Sequence, residues 1–179
     1  MAKENELRHQ AKDYTSEQFN ELVSIETQGI TEIPLLILKC HILVEWAMTY
    51  YLGTRSNEPK DFFEDKLHFN TKMKMVKYFG GMYKSPAHKE NNYNKALLLM
   101  NDLRNSVAHD LRYDEKILGE LLAELEKKDA EIYKDIPKGD KGRRLVKAAG
   151  FIAGAFFRTH KVLEDIRPPN GRPWSIGKY

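Results

Sequence analysis

The sequence predicts an all-α fold, because apolar residues recur at helical spacing along most of the chain while strand patterns are missing. No run of alternating β-branched residues occurs, and no Asn-Gly or Asp-Gly pair joins two such runs. Hydrophobic residues make up 41% of the 179 residues and charged residues 31%, a balance typical of a globular core. The length suits one domain. We therefore expect a single helical bundle over residues 1–167 and a flexible tail over 168–179.

The first two predicted helices have start and stop signals at both ends. Ser16 is expected to cap the first helix, which ends near Gly29. Thr31 is expected to cap a second, long helix with Pro34 in its first turn, which continues to Leu52-Gly53. Both helices are therefore defined by residues with known capping preferences.

Four more helices are predicted at residues 71–79, 93–111, 115–128 and 140–165. Residues 54–69 form a predicted loop with a short helical piece at 61–64, and residues 84–92 form a second loop. A Pro137-Lys138-Gly139 break precedes the last helix. In that helix Gly150 and Gly154 stand four residues apart in an apolar context, which predicts close packing against a neighbouring helix.

The composition and the missing motifs of the chain argue against several protein classes. Cys40 is the single cysteine, so neither a disulfide framework nor a cysteine zinc site is available, and a reducing cytoplasm is expected. No signal-peptide core follows the amino terminus. The apolar stretch 33–52 is interrupted by Lys39, His41 and Glu45, which favours a buried core helix over a membrane span. Since nucleotide-binding glycine loops and a His-Glu-x-x-His pair are missing, we expect no cofactor and no metal.

The most informative segment is the fourth predicted helix, which contains Arg104, Asn105 and His109 within two turns. An arginine can hold a phosphate through a fork of donors, and a histidine can transfer a proton near neutral pH. Metal-independent cleavage of RNA at its 2′-hydroxyl needs these two groups. The net charge of +3 would help attract phosphates but does not by itself identify a nucleic-acid-binding protein.

Over about residues 31–110 the chain resembles the HEPN superfamily, whose ribonuclease members share an Arg-x4-6-His signature with a polar residue after the arginine. Arg104, Asn105 and His109 match this signature, and a long apolar helix with an internal acid, here Glu45, commonly precedes it in the family. Leu111 stands where one toxin subgroup has a tyrosine. The chain is also similar to mannitol-repressor-like bacterial proteins, in which the same helices occur in a regulator.

The resemblance implies a homodimeric helical bundle that cleaves RNA with both motifs in one cleft. His109 would promote attack of the 2′-hydroxyl, Arg104 would stabilise the transition state and Asn105 would orient the phosphate, giving cyclic-phosphate and 5′-hydroxyl ends. The expected setting is the cytoplasm, in stress response or phage defence, without a membrane. The expected partners are RNA, a second copy and a partner protein such as an antitoxin or a regulator.

Structural alternatives remain open for each of these residues. At about 100° per residue, Arg104 lies roughly 40° from the Met100 stripe and His109 roughly 180° from it, so the two do not share a face. Arg104 beside the core is as well placed to form an ion pair with Glu45, and His109 suits a helix C-terminus without any catalytic role. The alternative function is a noncatalytic regulator or protein-interaction module. A DNA-binding repressor is a weaker third hypothesis, because no helix-turn-helix with a basic recognition helix is evident.

Two further groups of residues have structural interpretations. The basic cluster at residues 138–144 is interpreted as a solvated helix start more readily than as a track for a phosphate backbone. His41, His68, His88 and His160 lack partners nearby in sequence, and we expect them at the surface or satisfied in the core.

Overall fold

The computed structural model describes residues 15–55, 67–79 and 93–165. Within these ranges the chain forms helices and no strand, which confirms the all-α bundle. The helices are α1 (Ser16–Glu26), α2 (Ile33–Arg55), α3 (Phe69–Phe79), α4 (Asn94–Asp110), α5 (Glu115–Glu126) and α6 (Lys141–Asp165). The predicted tail 168–179, the helical piece 61–64 and the loop 84–92 lie outside the described residues.

Two predicted helix caps differ from the structure. The N-cap of α1 is Thr15, whose hydroxyl accepts a hydrogen bond from Gln18 N at 3.2 Å while Thr15 N donates to Gln18 Oε1 at 2.8 Å. This reciprocal pair needs a Gln or Glu three residues after the cap, so Thr15 is favoured over Ser16. Because α2 begins at Ile33, Thr31 lies two residues ahead of it and is not its cap.

The central helix is α2, which packs against α1, α3, α4 and α6. Its buried side chains, such as Ile37, Val44 and Met48, meet buried residues of the neighbouring helices. Full burial of one such side chain contributes about 1.5–3 kcal/mol. Residues Ile33–Gly53 are long and apolar enough to cross a membrane, and 56% of their most apolar window is buried in the bundle.

Gly150 of α6 lies close to α1. A Cβ atom built there would lie 2.7 Å from Asn20 Oδ1 and 3.6 Å from Asn20 Cα, both on α1. Only a residue without a side chain lets the two helices approach this closely without moving Asn20. The close packing predicted from the small residues is thus confirmed at Gly150.

Candidate functional site

The Arg104-Asn105-His109 motif occupies the last two turns of α4. Arg104 and His109 are exposed and Asn105 is half-buried. The guanidinium Nη1 of Arg104 donates to Asn105 Oδ1 at 3.1 Å, so these two side chains are brought together. Among the described residues no hydrogen bond or ion pair joins His109 to either of them. The structure therefore assembles an arginine-amide pair and leaves the imidazole separate on the same helix.

The predicted ion pair between Arg104 and Glu45 is wrong. Glu45 Oε1 instead accepts a hydrogen bond from Lys72 Nζ on α3 at 2.8 Å. The Lys72 side chain is only 4% exposed, so the partly buried carboxylate of Glu45 compensates a buried ammonium. Glu45 is thus paired with Lys72 and not with Arg104. Arg104 is exposed, and no carboxylate of the described residues forms an ion pair with it.

A histidine that sequence reasoning did not single out lies next to this ion pair. His41 is 5% exposed, and its ring stacks on Phe69 at a centroid distance of 4.3 Å. The side chain of Asn101 on α4 is also buried. Within the described part of the chain, the Nε2 atom of His41 is buried without a hydrogen-bond partner.

The charges around His41 come from three helices. Burial lowers the pKa of His41 to about 4, and the positive charges of Arg104 and Lys72 contribute to this lowering. Glu45 and Asn101 act in the opposite direction on the same pKa, but burial dominates. The imidazole is therefore neutral at neutral pH. We refer to His41, Glu45, Lys72, Asn101 and Arg104 together as the polar cluster.

A signal for the polar cluster is present in the sequence as polar residues on apolar stripes. His41 and Glu45 are one turn apart on the apolar helix α2, which places them on one face. Lys72 stands three residues after Phe69 and four before Val76, so it occupies a core-facing position of α3. Polar residues at core positions of neighbouring helices are expected to contact one another, although spacing alone does not say which ones pair.

The turn after α4 holds an unusual residue next to His109. Leu111 has φ 54° in the left-handed region, and its side chain is 81% exposed. Ser106 stabilises this turn, because its hydroxyl donates to Leu103 O at 2.7 Å and accepts from Asp114 N at 3.3 Å. Glycine or asparagine is usual at such a helix C-terminus. The motif thus ends in a conformation that leucine adopts at some cost, with an apolar side chain in solvent.

The basic residues at the start of α6 are engaged by nearby groups. Lys141 Nζ lies 3.0 Å from Glu115 Oε1, and the hydrogen bond between them raises the pKa of Lys141 and lowers that of Glu115. Arg144 Nη2 lies 3.4 Å from Glu126 Oε2, and its guanidinium stacks over the Tyr133 ring at 4.3 Å. These contacts join α5 to α6, so a structural role accounts for these cations better than a track for a phosphate backbone.

An open groove of about 1200 Å³ lies on another part of the bundle, between α1, the start of α2 and the start of α6. Apolar residues including Ile25, Ile33 and Val146 line it, together with charges of both signs such as Glu21 and Lys147. None of Arg104, Asn105 and His109 contributes to its walls. This groove and the Arg104-Asn105-His109 motif are therefore separate features.

No protein-family model, curated protein or solved structure matches the chain. The resemblance to the HEPN superfamily therefore stays a prediction from the sequence.

Proposed function

We propose that the protein is a metal-independent endoribonuclease of HEPN type, with Arg104, Asn105 and His109 as its site. The observation that carries this proposal is the state of Arg104, which is exposed, is held by Asn105 and forms no ion pair with a carboxylate in the described ranges. Such a guanidinium has donors left for a phosphodiester. Arg104 is thus available for the role that the resemblance implies.

In the proposed reaction, His109 takes the proton of a 2′-hydroxyl while that oxygen attacks the adjacent phosphorus. The bond from phosphorus to the 5′-oxygen then breaks, and the leaving oxygen takes a proton from water or from a second imidazole. Arg104 stabilises the charge that develops on the phosphorane-like transition state. The products carry a cyclic phosphate and a 5′-hydroxyl.

A homodimer is part of this proposal because the imidazole and the guanidinium of one chain are not in contact. Twofold pairing is the commonest assembly of soluble proteins, and it would bring two motifs into one cleft. We place this activity in the cytoplasm, in stress response or phage defence, under the control of an antitoxin or regulatory partner.

The second candidate function is a noncatalytic regulator or protein-interaction module. The exposed apolar side chain of Leu111, two residues from His109, would lie at such a protein contact. In this case the motif would serve as a docking surface, and RNA would remain intact.

The test is incubation of the purified protein with a mixed RNA pool in EDTA. Wild type should cleave the pool and leave cyclic-phosphate ends, while Arg104→Ala and His109→Ala should not. Arg112→Ala is the matched control, because it removes an exposed positive charge close to His109 without altering the motif. Intact RNA with the wild type would favour the interaction module, and cleavage only after addition of a divalent metal would exclude the proposed mechanism.

A further inference from the structure

We propose that Ser106 is a positioning residue for His109, because its hydroxyl closes the turn that carries this imidazole. The inference deepens the proposed function and rests on it for the reaction that His109 performs. Ser106 acts through the backbone and does not itself contact the RNA. It holds the end of α4 in one conformation while the imidazole takes the proton of the 2′-hydroxyl.

The first observation is the pair of hydrogen bonds that the Ser106 hydroxyl forms. It donates to Leu103 O of its own helix at 2.7 Å and accepts from Asp114 N, just before α5, at 3.3 Å. Asp114 is the N-cap of α5, and its carboxylate accepts from two backbone N–H groups of the first turn at 2.8 and 3.2 Å. One side chain thus joins the last two turns of α4 to a capped helix start.

The second observation is the place of His109 inside this closure. His109 stands three residues after Ser106, one turn along the same side of α4. Leu111 N donates to Val107 O at 2.9 Å, and the bond between Ser106 and Asp114 spans this smaller ring. The backbone at His109 therefore lies within two hydrogen-bonded closures. Since no hydrogen bond to a described residue orients the imidazole, its direction depends on this backbone.

The third observation is that the turn needs a closure of this kind. Leu111 has φ 54°, a left-handed conformation that is unfavourable for leucine, and its side chain is 81% exposed and has little packing to compensate. Such strain persists where the surrounding contacts over-determine the conformation. Ser106 supplies this constraint, because its bond to Asp114 fixes the distance that residues 111–113 must span between α4 and α5.

The end of α1 offers a matched comparison. The Thr27 hydroxyl donates to Val23 O at 2.7 Å and to Ser24 O at 3.2 Å, both on its own helix. Within the described ranges it accepts from no backbone N–H of the next helix. Thr27 therefore has the local hydrogen bonds of Ser106 without the connection to a second helix, and it separates a local contribution to stability from a positioning role.

Three variants test the positioning role. Ser106→Ala removes both hydrogen bonds of the hydroxyl. Ser106→Thr keeps the hydroxyl, which in a helix can still bond a carbonyl one turn back. Thr27→Val is the matched control, because it removes the hydroxyl at the end of α1 with little change of shape and leaves α4 unaltered.

Nitrogen-15 relaxation and amide hydrogen exchange of the full chain measure the order of the turn without RNA. The backbone order parameter at His109 should be about 0.85 in the wild type, as for rigid backbone, and lower in Ser106→Ala. The Leu111 amide should exchange about fivefold faster in Ser106→Ala, the usual effect of one lost hydrogen bond on an opening equilibrium. Ser106→Thr and Thr27→Val should both match the wild type at these two positions.

RNA cleavage in EDTA gives the second readout. Ser106→Ala should lower kcat about tenfold and leave KM within about twofold, because a misplaced general base slows the reaction while Arg104 and Asn105 remain in place for the phosphate. Ser106→Thr should restore kcat. Thr27→Val should keep the wild-type kcat at a temperature where it is folded, even with a lower free energy of unfolding.

Exchange in the wild type keeps the inference testable where Ser106→Ala does not fold. The Asp114 amide should exchange more slowly than the amides of Arg112 and Tyr113, which donate no hydrogen bond to the described residues. Equal exchange of the three amides would show that the bond to Ser106 does not persist in solution, and would overturn the inference.

The inference is also overturned where Ser106→Ala keeps the wild-type order at His109, or where Ser106→Thr does not restore kcat. RNA cleavage by the wild type together with either result would leave the nuclease proposal standing. Lost order at His109 in Ser106→Ala, in a protein that cleaves no RNA, would support the closure by Ser106 and contradict the nuclease proposal.

Discussion

Two regions of the bundle contain the same three chemical groups, an imidazole, a cation and an amide, in opposite environments. The buried set is His41, Lys72 and Asn101, and the more exposed set is His109, Arg104 and Asn105. In the interior the cation is paired with Glu45 and the imidazole is stacked and neutral. At the surface the cation has no carboxylate partner in the described ranges, so the same groups are free to bind a ligand.

Burial decides whether these groups contribute to stability or are available to a ligand. Inside, an unpaired charge is costly, so Lys72 pairs with Glu45 and His41 is neutral, and these residues contribute to the packing of α2 against α3. Outside, water satisfies the same groups, so their arrangement contributes little to stability. Substitutions in the two sets should accordingly separate stability from activity.

The largest expected effect is on activity, in the exposed set. His109→Ala should reduce RNA cleavage by about 10²–10⁴-fold, the usual contribution of a general acid-base group. Its free energy of unfolding should change by about 0.5 kcal/mol or less, as for other surface substitutions. Cleavage assays and urea unfolding of the same preparation measure both. A large loss of stability in this variant would mean that His109 has a structural role instead.

The next largest effect is on stability, in the buried set. Glu45→Gln leaves the ammonium of Lys72 buried without its counter-ion and should lower the free energy of unfolding by about 3 kcal/mol. Glu26→Gln is the matched control, because Glu26 pairs with Lys39 of α2 and its side chain is 31% exposed against 29% for Glu45. Lys39 is 34% exposed whereas Lys72 is 4% exposed.

The two carboxylates are thus equally accessible, and the pairs differ in the burial of the ammonium. The control should cost less than about 1 kcal/mol, because both of its charged groups retain contact with water. Urea unfolding of Glu45→Gln and Glu26→Gln measures the two losses in the free energy of unfolding. Equal losses in the two variants would show that the burial of Lys72 does not govern the strength of its ion pair.

A third effect is the pH dependence of stability that arises from His41. The pKa of His41 is about 4 in the folded protein and about 6.5 in the unfolded chain, so below about pH 6.5 the unfolded state binds the proton first. Stability therefore falls from about pH 6.5 and levels off near pH 4.

Between about pH 7 and about pH 5, the loss of stability that arises from His41 amounts to about 2 kcal/mol. His41→Phe keeps the aromatic stack and should lose about 2 kcal/mol less than wild type over the same interval. Urea unfolding at the two pH values measures the difference. Parallel losses in both proteins would contradict the buried neutral state of His41.

The helices and their apolar faces could be predicted from the sequence because periodicity is a local property. Helix α4 was expected at residues 93–111 and occupies Asn94–Asp110, and the cap of α1 was misplaced by a single residue. The sequence predicts Arg104 and not Lys72 as the partner of Glu45, because ion pairing depends on how α2, α3 and α4 pack. Lys72 lies between Thr71 and Met73 in a segment rich in lysine, and its burial follows only from its place on the Phe69–Val76 stripe.

The smallest expected effect concerns Leu111, in the turn that follows α4. Leucine pays about 1–2 kcal/mol in the left-handed conformation, which glycine adopts freely. Leu111→Gly should therefore raise the free energy of unfolding by about 1 kcal/mol, because part of this gain is offset by the greater entropy of glycine in the unfolded chain. The exposed Leu111 side chain has little packing to lose. Leu111→Ala is the control, because it shortens the side chain and retains the backbone cost.

RNA cleavage and stability should both be measured for Leu111→Gly, because together they show whether Leu111 has a function. A stabilised Leu111→Gly protein with wild-type cleavage would mean that the leucine is dispensable for the proposed nuclease site. A stabilised protein that has lost cleavage or dimer formation would assign the exposed leucine a contact with RNA or with a second chain, since strained residues persist where function requires them. A destabilised Leu111→Gly protein would contradict the argument from backbone strain, because the side chain would then contribute more than its exposure indicates.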